Sequence, residues 1–243
     1  MANPTAAILI IGDEILSGRT RDSNMFFLAG ELGRIGIDLC EVRVVADRHA
    51  AIVGAVNALR AAHDHVFTSG GIGPTHDDIT ADAIAAAFGL PLAVREDARV
   101  ILAAHYARAG VEFNAARQRM ARVPPGAVLI DNPISAAPGF SLGNVHVMAG
   151  VPKIFEAMVA SLLPRLTGGQ PLLSQTLRVD RGEGVIAEPL AALAAEFEDL
   201  SFGSYPFVQN GAYGSNLVVR GTDQARLDAA MLRLAALFPR DPA

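Results

Sequence analysis

The segment best equipped for chemistry is Ser69-Gly70-Gly71-Ile72-Gly73-Pro74-Thr75. Its glycines allow backbone conformations closed to other residues. Successive amide N–H groups in such a turn converge on an anion. Pro74 stiffens the turn and Thr75 adds a hydroxyl. A helix expected from Thr80 adds its positive end. Together these residues can hold a phosphate. The competing reading is a tight strand-to-helix turn without a ligand.

Asp77 and Asp78 follow the loop directly. One of them is expected to cap the helix that starts at Thr80. A second carboxylate beside a phosphate repels it, unless a divalent cation sits between the two. Magnesium takes one or two carboxylates together with substrate phosphate oxygens. Asp13, Glu14 and Asp47 follow the first two expected strands and can converge on the same ion. Each alone also reads as a solvated loop acid. His76 reads as a partly exposed loop histidine. Asn114, Arg117 and Arg119 share one expected helix, where an arginine can clamp a second phosphate bidentately or simply face solvent. Gly150-Val151-Pro152 follows a late strand and opens a helix, with Pro152 suited to the first turn.

The elements that must position these residues alternate short apolar runs with helical stripes. Ala6–Ile11, Val42–Ala46 and Val66–Thr68 read as strands, with Val128–Ile130 and Val145–Met148 as later ones. Ser23–Ile35, the stripe Ile52/Val53/Val56/Leu59, Thr80–Phe88, Ala98–Ala109 and Asn114–Arg122 read as helices. Such alternation implies a three-layer α/β domain on a mostly parallel sheet, where ligands sit beyond the carboxyl ends of the strands. The pattern changes near Leu166–Pro171. Beyond it, Leu173–Val179, Gly184–Phe197, Phe202–Val208, Asn216–Arg220 and Gln224–Leu237 read as a small α+β unit of order βαββα. The expected domains are residues 1–167 and 172–243.

Composition supports this division. The chain has 243 residues, 51% of them hydrophobic, and a net charge of -5. No long basic run is present, which argues against a non-specific nucleic-acid binder. The single cysteine, Cys40, cannot form an intrachain disulfide, in keeping with a reducing cytoplasmic setting, and reads as a small apolar residue on a buried strand. The N-terminal apolar stretch is short and lacks a basic start, so it reads as a strand rather than a signal peptide. No apolar run approaches the roughly 20 residues of a membrane span.

The motifs then resemble a known family. Gly12-Asp13-Glu14-Ile15-Leu16 with Gly18, Asp22 and Asn24 resembles the opening motif of the MoaB/Mog molybdenum-cofactor domain. Thr68–Thr80 resembles the loop signature of the branch found at the N-terminus of CinA and of eukaryotic FAD synthase. Asn114–Ala121 and Gly150-Val151-Pro152 resemble later motifs of that branch. Asp47 falls where the wider family has a functional aspartate. Gly184–Leu190 and Gly203-Ser204-Tyr205-Pro206 look like the segment that follows the domain in FAD-synthase-type proteins.

This resemblance implies a ligand that is molybdopterin or a nucleotide. In the CinA and FAD-synthase branch it implies a metal-dependent pyrophosphatase acting on ADP-ribose or FAD, with magnesium or cobalt and with potassium. The implied ligand-binding set is Gly12, Glu14, Ser69, Gly70, Gly71, Gly73, Pro74, Thr75, Thr80, Asn114, Arg117, Gly150 and Pro152. Asp47, Asp77 and Asp78 are the implied catalytic acids, and Asp13, Asp47 and Asp78 the implied metal ligands. A non-catalytic pterin- or nucleotide-binding module is the first alternative, and molybdopterin adenylylation the second. One departure bears on catalysis. CinA carries a glutamate soon after the Gly-x-Pro motif, whereas Lys153-Ile154-Phe155 stand here and Glu156 falls later. The amidohydrolase activity of the CinA kind and the adenylyltransferase activity of the FAD synthase kind are not expected, because nothing in the sequence resembles those domains. A homo-oligomer, dimer or trimer, is expected, with no membrane partner.

Overall fold

The computed structural model describes residues 2–209 and 211–239. The chain divides into two compact units, Met1–Gly169 and Gln170–Ala243.

In the first unit the elements run β1 (Thr5–Ile11), α1 (Asp13–Leu16), α2 (Asn24–Arg34), β2 (Asp38–Val45), α3 (His49–Ala62), β3 (His65–Ser69), α4 (Thr80–Ala87), β4 (Ala93–Val94), α5 (Glu96–Arg108), α6 (Ala115–Gln118), β5 (Arg122–Val123), β6 (Val128–Ile130), β7 (Gly139–Leu142), β8 (Val145–Met148) and α7 (Pro152–Leu162). Six strands form one sheet in the order β2-β1-β3-β8-β7-β6. β2, β1, β3 and β8 are parallel, and β7 runs antiparallel to both of its neighbours.

The alternation along β1 builds both cores. Ala7, Leu9 and Ile11 pack with Ile52, Val56 and Leu59 of α3 and Ile84 of α4. Ala6, Ile8 and Ile10 pack on the opposite face with Leu28 and Leu32 of α2 and Phe155 and Met158 of α7. A strand covered on both faces needs a continuous apolar run, and β1 supplies one. The result is the three-layer, mostly parallel α/β arrangement expected from the sequence.

The second unit contains β9 (Leu173–Val179), α8 (Glu183–Glu196), β10 (Ser201–Gln209), β11 (Ala212–Gly221) and α9 (Gln224–Leu237). Its strands form an antiparallel sheet of order β10-β11-β9. Ile186 and Leu193 of α8, with Leu227 and Leu234 of α9, pack against Leu217 and Val219. This is the expected βαββα order.

Three expectations change. The helix expected over Asn114–Arg122 is only the short α6 and a 3-10 turn at Arg119–Ala121, because the chain must turn into β5. Cys40 is exposed rather than buried, because β2 is an edge strand. β7 was not expected at all. No helix among the described residues is long and apolar enough to cross a membrane.

Candidate functional site

The parallel strands deliver their carboxyl ends to one side of the sheet, and a cavity of about 560 Å³ opens there. The turn after β1 supplies Gly12 and Glu14. The segment after β2 supplies Asp47. The loop after β3 supplies Gly70 through Pro74, Asp77 and Asp78. The turn before α7 supplies Gly150, Val151 and Pro152. Met120, Asn132, Ser135 and Ala137 close another side.

The glycine loop departs from β3 by a sharp backbone reversal. Gly70 has φ +112, and a Cβ there would lie 2.3 Å from the Ile11 carbonyl oxygen. Gly71 has φ +70, and its Cβ would lie 2.2 Å from Thr80 Oγ1. Both positions therefore admit only glycine on steric grounds. The Thr80 hydroxyl donates to the Gly70 carbonyl at 2.9 Å, and the Thr80 amide donates to the Gly71 carbonyl at 3.0 Å. With those carbonyls tied to the start of α4, the amides of Gly71, Ile72 and Gly73 meet no protein acceptor among the described residues. All three residues line the cavity.

Neither aspartate after the loop caps α4, whose N-cap Ile79 carries no side-chain cap. Asp78 Oδ2 instead accepts from the Thr75 amide at 2.8 Å and from its hydroxyl at 2.5 Å. That bond closes the loop on itself, so Thr75 presents neither group as a free donor. Ser69 and Thr80 are buried behind the loop. Ser69 accepts from the Asn24 side chain at 2.8 Å, and that side chain also donates to the Gly150 carbonyl at 2.8 Å.

Asn114 and Arg117 are not among the residues lining the cavity. Asn114 Oδ1 caps α6 by accepting from the Arg117 amide at 3.1 Å. The Arg117 guanidinium bonds the Glu112 carbonyl and stands 4.9 Å over the Tyr106 ring. Arg119 reaches the loop from behind, with Nη2 on the Asp78 carbonyl at 3.5 Å. His76 is exposed. Glu156 is exposed on α7 and, like Lys153, stands off the lining.

Glu14, Asp47, Asp77 and Asp78 line the cavity, and among the described lining residues none is basic. Asp47 Oδ2 accepts from the Asp13 amide at 2.9 Å, a bond that joins the ends of β1 and β2. Partial burial raises the Asp47 pKa above the usual carboxylate value, the Asp13 amide opposes this, and the charges of Glu14, Asp13 and Asp77 raise it further. Asp13 does not line the cavity, and Asp78 is engaged by Thr75. Among the described residues no group of three His, Cys, Asp or Glu side chains comes together as a metal cage. The expected trio Asp13, Asp47 and Asp78 is therefore not assembled. Apolar side chains also line it, among them Ile11, Ile72, Met120, Ala137, Val151 and Ile154, with Thr20, Asn132 and Ser135 as neutral polar groups.

Asn24, Thr20, Met120, Asn132 and Ser135 were not among the expected site residues. Asn132 is buried; its Oδ1 accepts from the amides of Ile134 and Ser135 and its Nδ2 donates to Ser135 Oγ, which shapes that wall. In sequence, Asn132-Pro133 reads as a turn and carries no other signal of this role.

Comparison with known proteins agrees with this architecture. Residues 7–168 match the model of the probable molybdopterin binding domain, and residues 171–242 match the FAD synthase middle domain. A probable FAD synthase of Caenorhabditis elegans is 32% identical over 259 residues, covering 96% of this chain and 50% of that protein. A putative competence-damage inducible protein of Symbiobacterium thermophilum is 31% identical, covering 95% of this chain and 57% of that one. The chain thus spans about half the length of these curated relatives. A crystal structure of the protein CinA, of unknown function, from Thermoplasma acidophilum matches at TM-score 0.61 and 34% identity, over 67% of this chain and 97% of that one. The chain belongs to the probable molybdopterin-binding domain family, with its likeness in the CinA-like branch.

Proposed function

We propose that the cavity binds a phosphorylated nucleotide or pterin and hydrolyses the diphosphate of an ADP-ribose- or FAD-type dinucleotide. One observation carries the binding half: Gly71, Ile72 and Gly73 line the cavity, and their amides meet no protein acceptor among the described residues. Unpaired amides beside a cavity are costly unless water or a ligand satisfies them. A phosphate oxygen satisfies several at once. The apolar wall of Ile72, Met120, Val151 and Ile154 suits the flat face of a heterocycle. The probable FAD synthases among the relatives support a dinucleotide.

The acids support the hydrolytic half. A cavity lined by Glu14, Asp47, Asp77 and Asp78 and by no basic side chain repels a diphosphate unless a cation accompanies it. The donor set fits a magnesium-class ion, which takes one or two protein carboxylates and completes its shell with water and ligand phosphate oxygens. Asp47 with Glu14 or Asp77 would hold it. When bound, such an ion neutralises the diphosphate and acidifies a coordinated water. Potassium has no assigned ligand in this reading.

The protein's own residues do the rest. The loop amides orient the phosphate, and the Asp78–Thr75 bonds keep the loop in shape. Asp47 Oδ2 is held by the Asp13 amide, which leaves Oδ1 free for the cation. Its raised pKa means that a proton occupies that place more readily than on a free aspartate when no cation is bound.

The test is AMP release from ADP-ribose and FAD by purified protein with magnesium or cobalt. Release that a chelator stops supports the hydrolase. A second reading, a binding module without turnover, is favoured by the lack of a three-acid cluster among the described residues. It predicts thermal stabilisation by the same compounds with no AMP.

A further inference from the structure

The sheet of the second unit is covered on one face only. Leu177, Phe202, Leu217 and Val219 point to α8 and α9, and Leu217 and Val219 are fully buried. Neither strand pairing has a register shift, so the residues that alternate with these stand on the other face. There stand Tyr205 and Phe207 of β10, Asn216 and Arg220 of β11, and Thr176 and Arg178 of β9. Neither α8 nor α9 covers them. Tyr205 is 46% exposed, and Thr176 and Arg178 are exposed too.

Two rings and two cations make up this face. Tyr205 leans over Gly203, where a Cβ would meet its ring at 3.0 Å, and Phe207 leans over Gly214, where a Cβ would meet its ring at 2.4 Å. Glycine at both places lets each ring come down close to the backbone. The Arg178 guanidinium stands 4.2 Å over the Phe207 ring, and that of Arg220 stands 5.7 Å from the Tyr205 ring centre. Arg178 also donates to the Gln209 side chain, and its Nε lies 3.8 Å from the exposed Asp180 just beyond β9. The Arg220 guanidinium has no ion pair or hydrogen bond among the described residues. No acid occupies a strand position on this face.

These features select one kind of occupant. Tyr205 and Phe207 are two residues apart on one strand, a repeat of about 6.8 Å, and each has its own arginine. A single heterocycle fills one of these places, whereas a chain of them fills both. Aromatic rings and guanidinium planes are the surfaces on which unpaired bases stack. Two cations without an acid complement a phosphodiester chain. A second copy of this face brings two more cations and no counter-charge, which disfavours pairing of like faces. We propose that this face binds single-stranded nucleic acid, with two successive bases stacked on Tyr205 and Phe207 and with Arg178 and Arg220 beside the phosphates. The chain's net charge of -5 excludes binding by charge alone. Stacking therefore supplies most of the affinity, and the salt dependence is shallow.

The test is fluorescence anisotropy of a short labelled oligoadenylate RNA titrated with the full chain. A chelator in the buffer keeps the cation-dependent cavity of the first unit out of play. Binding should saturate, and the same strand paired with its complement should bind far more weakly. The logarithm of affinity should fall against the logarithm of salt concentration with a slope of about -1.4, the value for two phosphates on a single strand. Tyr205→Leu and Phe207→Leu should each weaken binding by about fivefold or more. Arg220→Gln should bring the slope to about -0.7. Circular dichroism of each variant separates misfolding from lost stacking. No saturable binding, the result expected of a face that takes a protein partner, overturns the proposal. Displacement of the oligomer by excess FAD or ADP-ribose overturns it too, as does unchanged affinity in both ring variants.

Discussion

The side-chain amide of Asn24, on α2, donates to the hydroxyl of Ser69 at the end of β3 across 2.8 Å, and its second hydrogen reaches the Gly150 carbonyl at the same distance. One buried side chain thus ties together the two neighbouring turns, after β3 and after β8, that both line the cavity. Asn24→Ala leaves the Gly150 carbonyl without that donor. We expect a loss of about 1–3 kcal/mol of stability and weaker ligand binding. Denaturant unfolding beside a ligand titration checks both. Unchanged affinity at reduced stability would show that Asn24 supports the fold and not the cavity.

Gly71 makes a second prediction. Its φ of +70 and the 2.2 Å approach of a Cβ to Thr80 Oγ1 act together. Gly89 has φ +64 and open space around it. A left-handed alanine costs about 1–2 kcal/mol at either position. Only Gly71→Ala adds displacement of Thr80, so it should destabilise more and abolish phosphate binding, while Gly89→Ala binds normally. Equal behaviour of the two variants would contradict the assigned role of the loop.

The sequence made the central strands and the glycine loop legible for the same reason: each is a local pattern. β1 is buried on both faces, so its apolar run is continuous, and β3 and β8 keep short apolar stretches beside the buried polar residues Thr68, Ser69 and His146. β7 was missed because Gly139-Phe-Ser-Leu is short and partly polar, and its antiparallel pairing depends on tertiary position. The first half of β2 was missed because an edge strand alternates with polar residues. Within the site, Ser69 and Thr80 look like phosphate donors in sequence, but burial turns them to loop carbonyls and to Asn24. The bonds of Asn24 and Asn132 join distant or irregular segments and leave no periodic trace. Asp78 was expected at a helix start, yet the turn from Thr75 supplied nearer donors.

His146 and Asp47 make opposite pH predictions. His146 is buried, with Nδ1 2.8 Å from Ser141 Oγ and Nε2 3.2 Å from His65 Nδ1. Burial, then the charge of His65, lowers its pKa to about 3 from 6.5, and burial lowers that of His65 as well. The unfolded chain therefore holds more protons below pH 6.5, and stability falls as the pH drops from there toward 3. The slope approaches about 1.4 kcal/mol per pH unit for His146 within that window. Unfolding midpoints across that window should fall less steeply for His146→Gln. An unchanged slope would contradict it.

Asp47 has the reverse sign. Its raised pKa means that the folded chain binds the proton more tightly, so this group's contribution declines as the pH rises through its folded value. A cation beside it competes with that proton. Stabilisation by magnesium should therefore grow with pH in the unmodified chain and lose this dependence in Asp47→Asn. A magnesium effect equally pH-dependent in the variant would assign the cation elsewhere.

The amides of Gly71, Ile72 and Gly73 have no protein acceptor among the described residues and are free to donate to a phosphate. Nitrogen-15 amide spectra recorded while ADP-ribose is added with magnesium test this most directly. These three resonances should shift downfield and saturate together, ahead of amides elsewhere. Saturable binding that leaves all three in place would contradict it.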